Sequence, residues 1–150
     1  MEFQIVKCIG DEADFIGEKL VEYNLRQVPR TQETDFISIN RKIVDESGNI
    51  VAGCMAELYC WNIAYIEVLW VDESCRKKGL GTKLLKEIER ISREENCSLI
   101  HLDTFDFQAK DFYRKNGYEV FGVLEDCPKG HCRYYMKKNL AKEVGDERGI

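Results

Sequence analysis

The chain has 150 residues, enough for one compact domain that buries about two-thirds of its unfolded surface. Its 44% hydrophobic and 33% charged residues, with only 2 Pro, are ordinary globular usage and exclude a disordered or collagenous chain. A net charge of -5 argues against broad electrostatic attachment to nucleic acid or anionic lipid and suits a small cationic partner better.

Unbroken apolar runs reach only four residues, as in Val68 to Val71, far short of the roughly 20 that a membrane span needs. The opening Met1, Glu2, Phe3, Gln4 lacks the basic and apolar regions of a secretory signal, so a cytoplasmic location is expected. Seven scattered cysteines, an odd number, agree with a reducing compartment.

Phe3 to Ile9 reads as a short strand, and Gly10 with Asp11 starts a helix whose Phe15, Ile16, Leu20 and Val21 recur at helical spacing until it fades near Pro29. Phe36 to Val44 and Ile50 to Trp61 read as a hairpin joined by the turn formers Glu46 to Asn49, and Ile63 to Val71 is a further strand. Between Thr82 and Asn96 the period changes. Leu84, Leu85, Ile88 and Ile91 form one stripe, with charged residues opposite, which predicts an amphipathic helix.

Ser98 to Thr104 follows as a buried strand, then Gln108 to Asn116 as a short helix stopped by Gly117, then strands over Tyr118 to Leu124 and His131 to Lys138. An exposed terminal strand near His131 to Lys138 is one candidate for pairing with a second subunit as a homodimer. A single domain over 1–140 and a loose polar tail over 141–150 are expected. Helices interleaved with one set of strands, hairpins included, indicate an α/β fold with a sheet of mixed direction.

The most informative stretch lies between the Ile63 to Val71 strand and the amphipathic helix. Arg76, Lys77 and Lys78 precede Gly79, Leu80 and Gly81 there. The glycines let the backbone approach a ligand, so successive N–H groups and a helix N-terminus can converge on one anion. Cations at a helix N-terminus oppose the macrodipole, a cost that an anion such as a phosphate would offset. A plain glycine turn with a solvated basic knuckle is the competing reading. Neither GxxxxGK[ST] nor GxGxxG fits, because Thr82 precedes Lys83 and Leu84 stands where a third glycine is required.

RKKGLG resembles the [QR]xxGx[GA] signature of the GNAT N-acetyltransferase family, and Phe112 to Tyr118 (FYRKNGY) resembles that family's FYxKxGF-like segment. The resemblance spans nearly the whole chain. It implies a central mixed, mostly antiparallel sheet of about six to seven strands flanked by about four helices. It further implies transfer of acetyl from acetyl-CoA to a primary amine of a small molecule or peptide, by direct attack in a ternary complex. In that reading the cofactor's pyrophosphate lies on Arg76, Lys77, Lys78, Gly79, Leu80, Gly81 and Thr82, its pantetheine pairs with Leu69, Trp70 and Val71, and Tyr113 hydrogen-bonds the sulfur. One departure is Asp106, where many members carry Asn; as a residue it reads as a helix cap before Gln108.

Glu67 interrupts an apolar strand, a costly placement unless it faces a wet cleft, and it is the candidate base. Binding or attracting a cation is the alternative role for Glu67, and core packing of a short helix the alternative for Tyr113. Glu57, Asp103 and Asp126 would add to a cation-attracting field, and His101 with Asp103 share a strand face. The segments Tyr23 to Phe36 and Glu125 to Gly130 would flank the acceptor by resemblance. Cys127, His131 and Cys132 lack zinc-site spacing, and no metal is expected.

Two other functions fit parts of this pattern. One is a ping-pong enzyme using Cys60 or Cys97 near His101 and Asp103. The other is a non-catalytic acyl-CoA-binding or sensor module.

Overall fold

A computed structural model describes residues 1–140, and the predicted tail at 141–150 lies outside the described residues. The elements in chain order are α1 (Glu12–Gln27), β1 (Phe36–Ser38), β2 (Arg41–Val44), β3 (Ile50–Tyr59) and β4 (Ile63–Val71). A 3-10 turn at Glu73–Cys75 leads into α2 (Leu80–Glu94), β5 (Leu99–Phe105), α3 (Lys110–Lys115), β6 (Glu119–Glu125) and β7 (Cys132–Asn139). Seven strands form one sheet in the order β1-β3-β4-β5-β7-β6, with β2 also on β3. Among the described strands only β4 and β5 run parallel, because α2 carries the chain across between them.

The predicted stripe on α2 is what it buries: Leu84, Leu85, Ile88 and Ile91 pack into the core cluster. Strand alternation supplies the other side, with Ala52, Cys54, Ala64, Ile66, Ile100, Leu102 and Met136 on one sheet face. Tyr113 of α3 belongs to the same cluster, so α2 and α3 share that face. Glu89 is also buried on α2. It accepts the Tyr118 hydroxyl at 2.7 Å and the Lys138 ammonium at 3.1 Å, tying α2 to β7. Gly117, at φ +93°, ends the short helix as its position predicted.

The expected strand over Phe3 to Ile9 is absent. Residues 3–9 are exposed and pair with no strand. Helix α1 forms where expected but buries none of its residues, and Phe15, Ile16 and Leu20 stay exposed. The predicted strand over Phe36 to Val44 is two strands, because the Asn40 side chain accepts the Ala56 N–H at 2.9 Å and so interrupts the ladder. Strand β7 is no free edge either, since β5 pairs one side of it and β6 the other. Among the described residues no helix is long and apolar enough to cross a membrane.

Candidate active site

Strands β4 and β5 pair from Ile63 and Leu99 to Ile66 and Leu102 and then separate. Beyond that point β4 stays with β3 as far as Val71, while β5 stays with β7 as far as Phe105. The divergence opens a cleft of about 970 Å³, a size suited to a cofactor and acceptor, with α2 and α3 at its rim.

Glu67 stands at the fork. The β3 register passes from Ala56–Ile66 to Met55–Val68, so Glu67 is the extra residue of a β-bulge. That explains how a carboxylate fits an apolar strand, since the bulge leaves Glu67 and Val68 exposed in succession. Leu69, Trp70 and Val71 continue the wall, and beyond Ile66 their strand has no ladder partner in β5.

At the basic end Arg76, Lys77, Gly79, Leu80, Gly81 and Thr82 line the cleft, and Lys78 does not. Lys77 at φ +66° and Gly79 at φ +77° are both left-handed, which folds the loop tightly into the N-terminus of α2. Gly79 caps that helix without a side-chain hydrogen bond, and the first turn carries no acid. The first N–H groups of α2 are therefore directed at the cleft end with two cations beside them, a donor set that fits a phosphate. Arg76 also braces the loop, its Nε donating to the Val71 carbonyl at 3.2 Å. A Cβ on Gly81 would sit 3.3 Å from the Phe112 ring, so glycine there lets α2 close against α3.

Tyr113 reaches the cleft from α3, with its ring buried against Phe112 and Tyr118. Among the described residues its hydroxyl makes no hydrogen bond to another side chain or to the backbone, and it is not a buried unsatisfied atom, so it is free to bond a molecule in the cleft. Burial, reinforced by Cys54 and Asp103, pushes its pKa well above the ordinary phenol value.

Asp103 is the acidic candidate that the fold brings to the cleft, whereas Glu57 and Asp126 do not line it. It does not bond His101. Arg133 donates to it from Nε at 2.9 Å and Nη2 at 2.5 Å, and the Tyr65 hydroxyl donates at 3.0 Å, while His101 pairs with the Tyr59 hydroxyl at 2.8 Å. Arg133, Phe105, Phe107, Gln108 and Cys75 also line the cleft, and sequence reasoning missed them. Only the alternation of Phe105 with Asp103 along one strand signalled any of this group.

Asp106 does not cap α3. Its carboxylate takes His131 Nδ1 at 2.9 Å and the Cys132 N–H at 3.0 Å, engaging two members of the Cys127, His131, Cys132 cluster in a strand-end clasp. Neither Tyr23 to Phe36 nor Glu125 to Gly130 lines the cleft. Cys60 and Cys97 do not reach it, and burial raises both thiols, Cys97 to about 11, which leaves little thiolate for a ping-pong route.

The Acetyltransferase (GNAT) family profile matches residues 13–118, which takes in the fork, the basic loop and both walls. The chain is a GNAT family member. Several relatives are named acetyltransferases. Blasticidin-S acetyltransferase of Streptomyces morookaense is 33% identical over 96 residues, covering 63% of this chain and 70% of its own. The crystal structure of an acetyltransferase from Bacillus cereus ATCC 14579 superposes with a TM-score of 0.84 at 37% identity, covering 91% of this chain and 97% of that one. A Bacillus anthracis structure in complex with acetyl coenzyme A shares the fold at TM-score 0.61 and 23% identity, over 68% of this chain and 62% of that one. Within the GNAT fold, the β4–β5 fork and the α2 N-terminus of this member form one continuous channel.

Proposed function

We propose that this GNAT member is an acetyl-CoA-dependent N-acetyltransferase that acylates a primary amine of a small molecule by direct attack in a ternary complex. The observation that carries the reading is the single cleft running from the uncapped N-terminus of α2, past Tyr113, to Glu67 and Asp103 at the fork. The name of the blasticidin-S relative and the acetyl coenzyme A held by the Bacillus anthracis structure agree with it. Arg76, Lys77 and the N–H groups of residues 80–82 would hold the pyrophosphate, and Leu69 to Val71 would pair with the pantetheine amides. Bound acetyl-CoA supplies an activated thioester.

The chain's residues must then meet two demands. An alkylammonium near pKa 10.4 resists deprotonation at pH 7 by about 3.5 units, or about 4–5 kcal/mol. Glu67 takes that proton, directly or through water, which frees the neutral amine to attack the carbonyl carbon; the carbon–sulfur bond then breaks, and the nitrogen's second proton leaves with the thiolate as the free thiol. Tyr113 stabilises the departing sulfur. Because burial raises its pKa, the phenol keeps its proton and acts as a hydrogen-bond donor rather than a full acid.

Isothermal titration with acetyl-CoA, repeated on Gly81→Glu, tests the cofactor. Binding that disappears in the variant supports the reading, and intact protein that takes up none refutes it. A thiol-release screen of cationic amines then identifies the acceptor.

A further inference from the structure

The first 28 residues are the part of the described chain that the fold leaves unused. On α1, Phe15, Ile16 and Leu20 are 59%, 57% and 60% exposed at helical spacing, and ahead of it Phe3 and Ile5 are 87% and 104% exposed. A helix of this pattern draws its stability from packing its apolar stripe, and a contiguous exposed apolar surface marks an interaction site.

The body offers the complement. Both packed helices lie on one sheet face, and the opposite face, with Tyr59, Tyr65, Tyr135 and Phe121, carries no described helix. A mostly antiparallel sheet can leave one face to water, but the four aromatic rings on this one make it a docking surface for an apolar helix. Among the described residues, strands β1 and β2 pair only with β3, and none of those residues pairs with the outer edge of that sheet end. One helix lacks a sheet, and one sheet face lacks a helix.

The arm leaves the body at a fixed point. Trp61 Nε1 donates to the Val28 carbonyl at 2.8 Å, the Thr31 N–H to the Cys60 carbonyl at 3.0 Å and Gln32 Nε2 to the Leu58 carbonyl at 3.0 Å. These bonds pin residues 28–32 to the β3–β4 turn, and α1 beyond them has none of its residues fully buried by its own chain, with only Val21, Asn24 and Leu25 half-buried.

We propose that residues 1–28 dock on a second copy of this chain in a reciprocal exchange, with α1 across the partner's bare sheet face and residues 3–9 along its free edge. Ten large apolar side chains of the arm are exposed. At roughly 60–120 Å² each, two arms present on the order of 1,800 Å², the size of a standard stable interface. Reciprocity closes the assembly as a two-fold dimer. The Bacillus cereus acetyltransferase superposes over 91% of this chain, and residues 29–150 are only about four-fifths of it, so that likeness extends into the arm.

Light scattering on the eluting full-length chain at micromolar concentration tests the exchange, which does not depend on the reading of the cleft. The expected mass is twice 17.5 kDa. Two variants, Phe15→Asp/Ile16→Asp/Leu20→Asp on the arm and Phe121→Glu on the face, should each elute at the single-chain mass with unchanged circular dichroism. Hydrogen exchange on the unmutated chain gives a second readout: α1 amides protected at micromolar concentration and fast after dilution to the monomer. A single-chain mass for the unmutated protein overturns the proposal. So does a dimer that survives both variants, or α1 protection that dilution leaves unchanged.

Discussion

Arg133 of β7 grips Asp103 of β5 through two N–H donors on one carboxylate oxygen, at 2.9 and 2.5 Å, while Tyr65 holds the other at 3.0 Å. The pair divides the acids at the fork. Asp103 has its charge answered within the protein, whereas Glu67 has no hydrogen-bond or ion-pair partner among the described residues; in the proposed reaction Glu67 is therefore the carboxylate assigned the acceptor's proton. Arg133→Leu should cost about 1–2 kcal/mol by stranding the Asp103 charge, and adding Asp103→Asn should recover part of that loss. Urea denaturation of the two singles and the double checks this, and strict additivity would contradict the coupling.

Titration of the acceptor amine gives a kinetic prediction. Glu67→Gln should lower kcat/KM about 10²–10⁴-fold near pH 7 and recover as pH approaches the amine pKa, where the nucleophile is already neutral. Tyr113→Phe should lower kcat about 10²-fold with little change in acetyl-CoA affinity. Steady-state rates between neutral and alkaline pH separate the two, and a Gln variant with the parent's level and slope would remove Glu67 from the role of base.

The basic loop separates strain from occlusion. Gly79→Ala places a side chain at φ +77° and should cost about 1–2 kcal/mol, although nothing lies within 4 Å of its new Cβ. Gly81→Ala asks only that the Phe112 ring yield by a few tenths of an ångström, so its melting temperature should change less. Calorimetric melts that rank the two the other way would count against this account.

His101 makes stability depend on pH. Burial lowers its pKa in the folded chain, against a smaller opposing pull from Asp103, so the unfolded chain binds its proton first as pH falls. Its contribution is complete above the unfolded value near 6.5 and is lost as pH drops toward the lower folded value. Unfolding free energies measured at pH 7.5 and 5.5 should fall with acidification, and His101→Gln should flatten that slope.

Glu89 is a buried anion with two strong partners. Glu89→Ala leaves the Tyr118 hydroxyl without its acceptor and the Lys138 ammonium with only the Asn116 carbonyl, and should cost about 3 kcal/mol, or about 10 °C in Tm. Differential scanning calorimetry checks it.

The sequence was most legible where one residue pattern had one structural use. The α2 stripe, the glycine stop at Gly117 and the basic loop follow from local chemistry that no distant contact overrides. Phe3 to Ile9 misled because alternation records the capacity for a strand, whereas a ladder also needs a neighbour. Arg133 went unseen because its role depends on β7 lying beside β5, a register that 30 residues of separation hide. Asp106 reads as a cap from its neighbours alone, but two donors at the start of β7 claim its carboxylate.

The bulge at Glu67 also acts as a spacer. With one extra residue absorbed there, Ala64 and Ile66 before it and Leu69 and Val71 after it all face the core, despite the change from even to odd numbering. Deleting a residue at this point would turn over the second half of the strand, sending Leu69 and Val71 into water and driving Trp70 inward. The side chain at 67 is open to exchange as far as folding is concerned, but the number of residues between Ile66 and Leu69 is not.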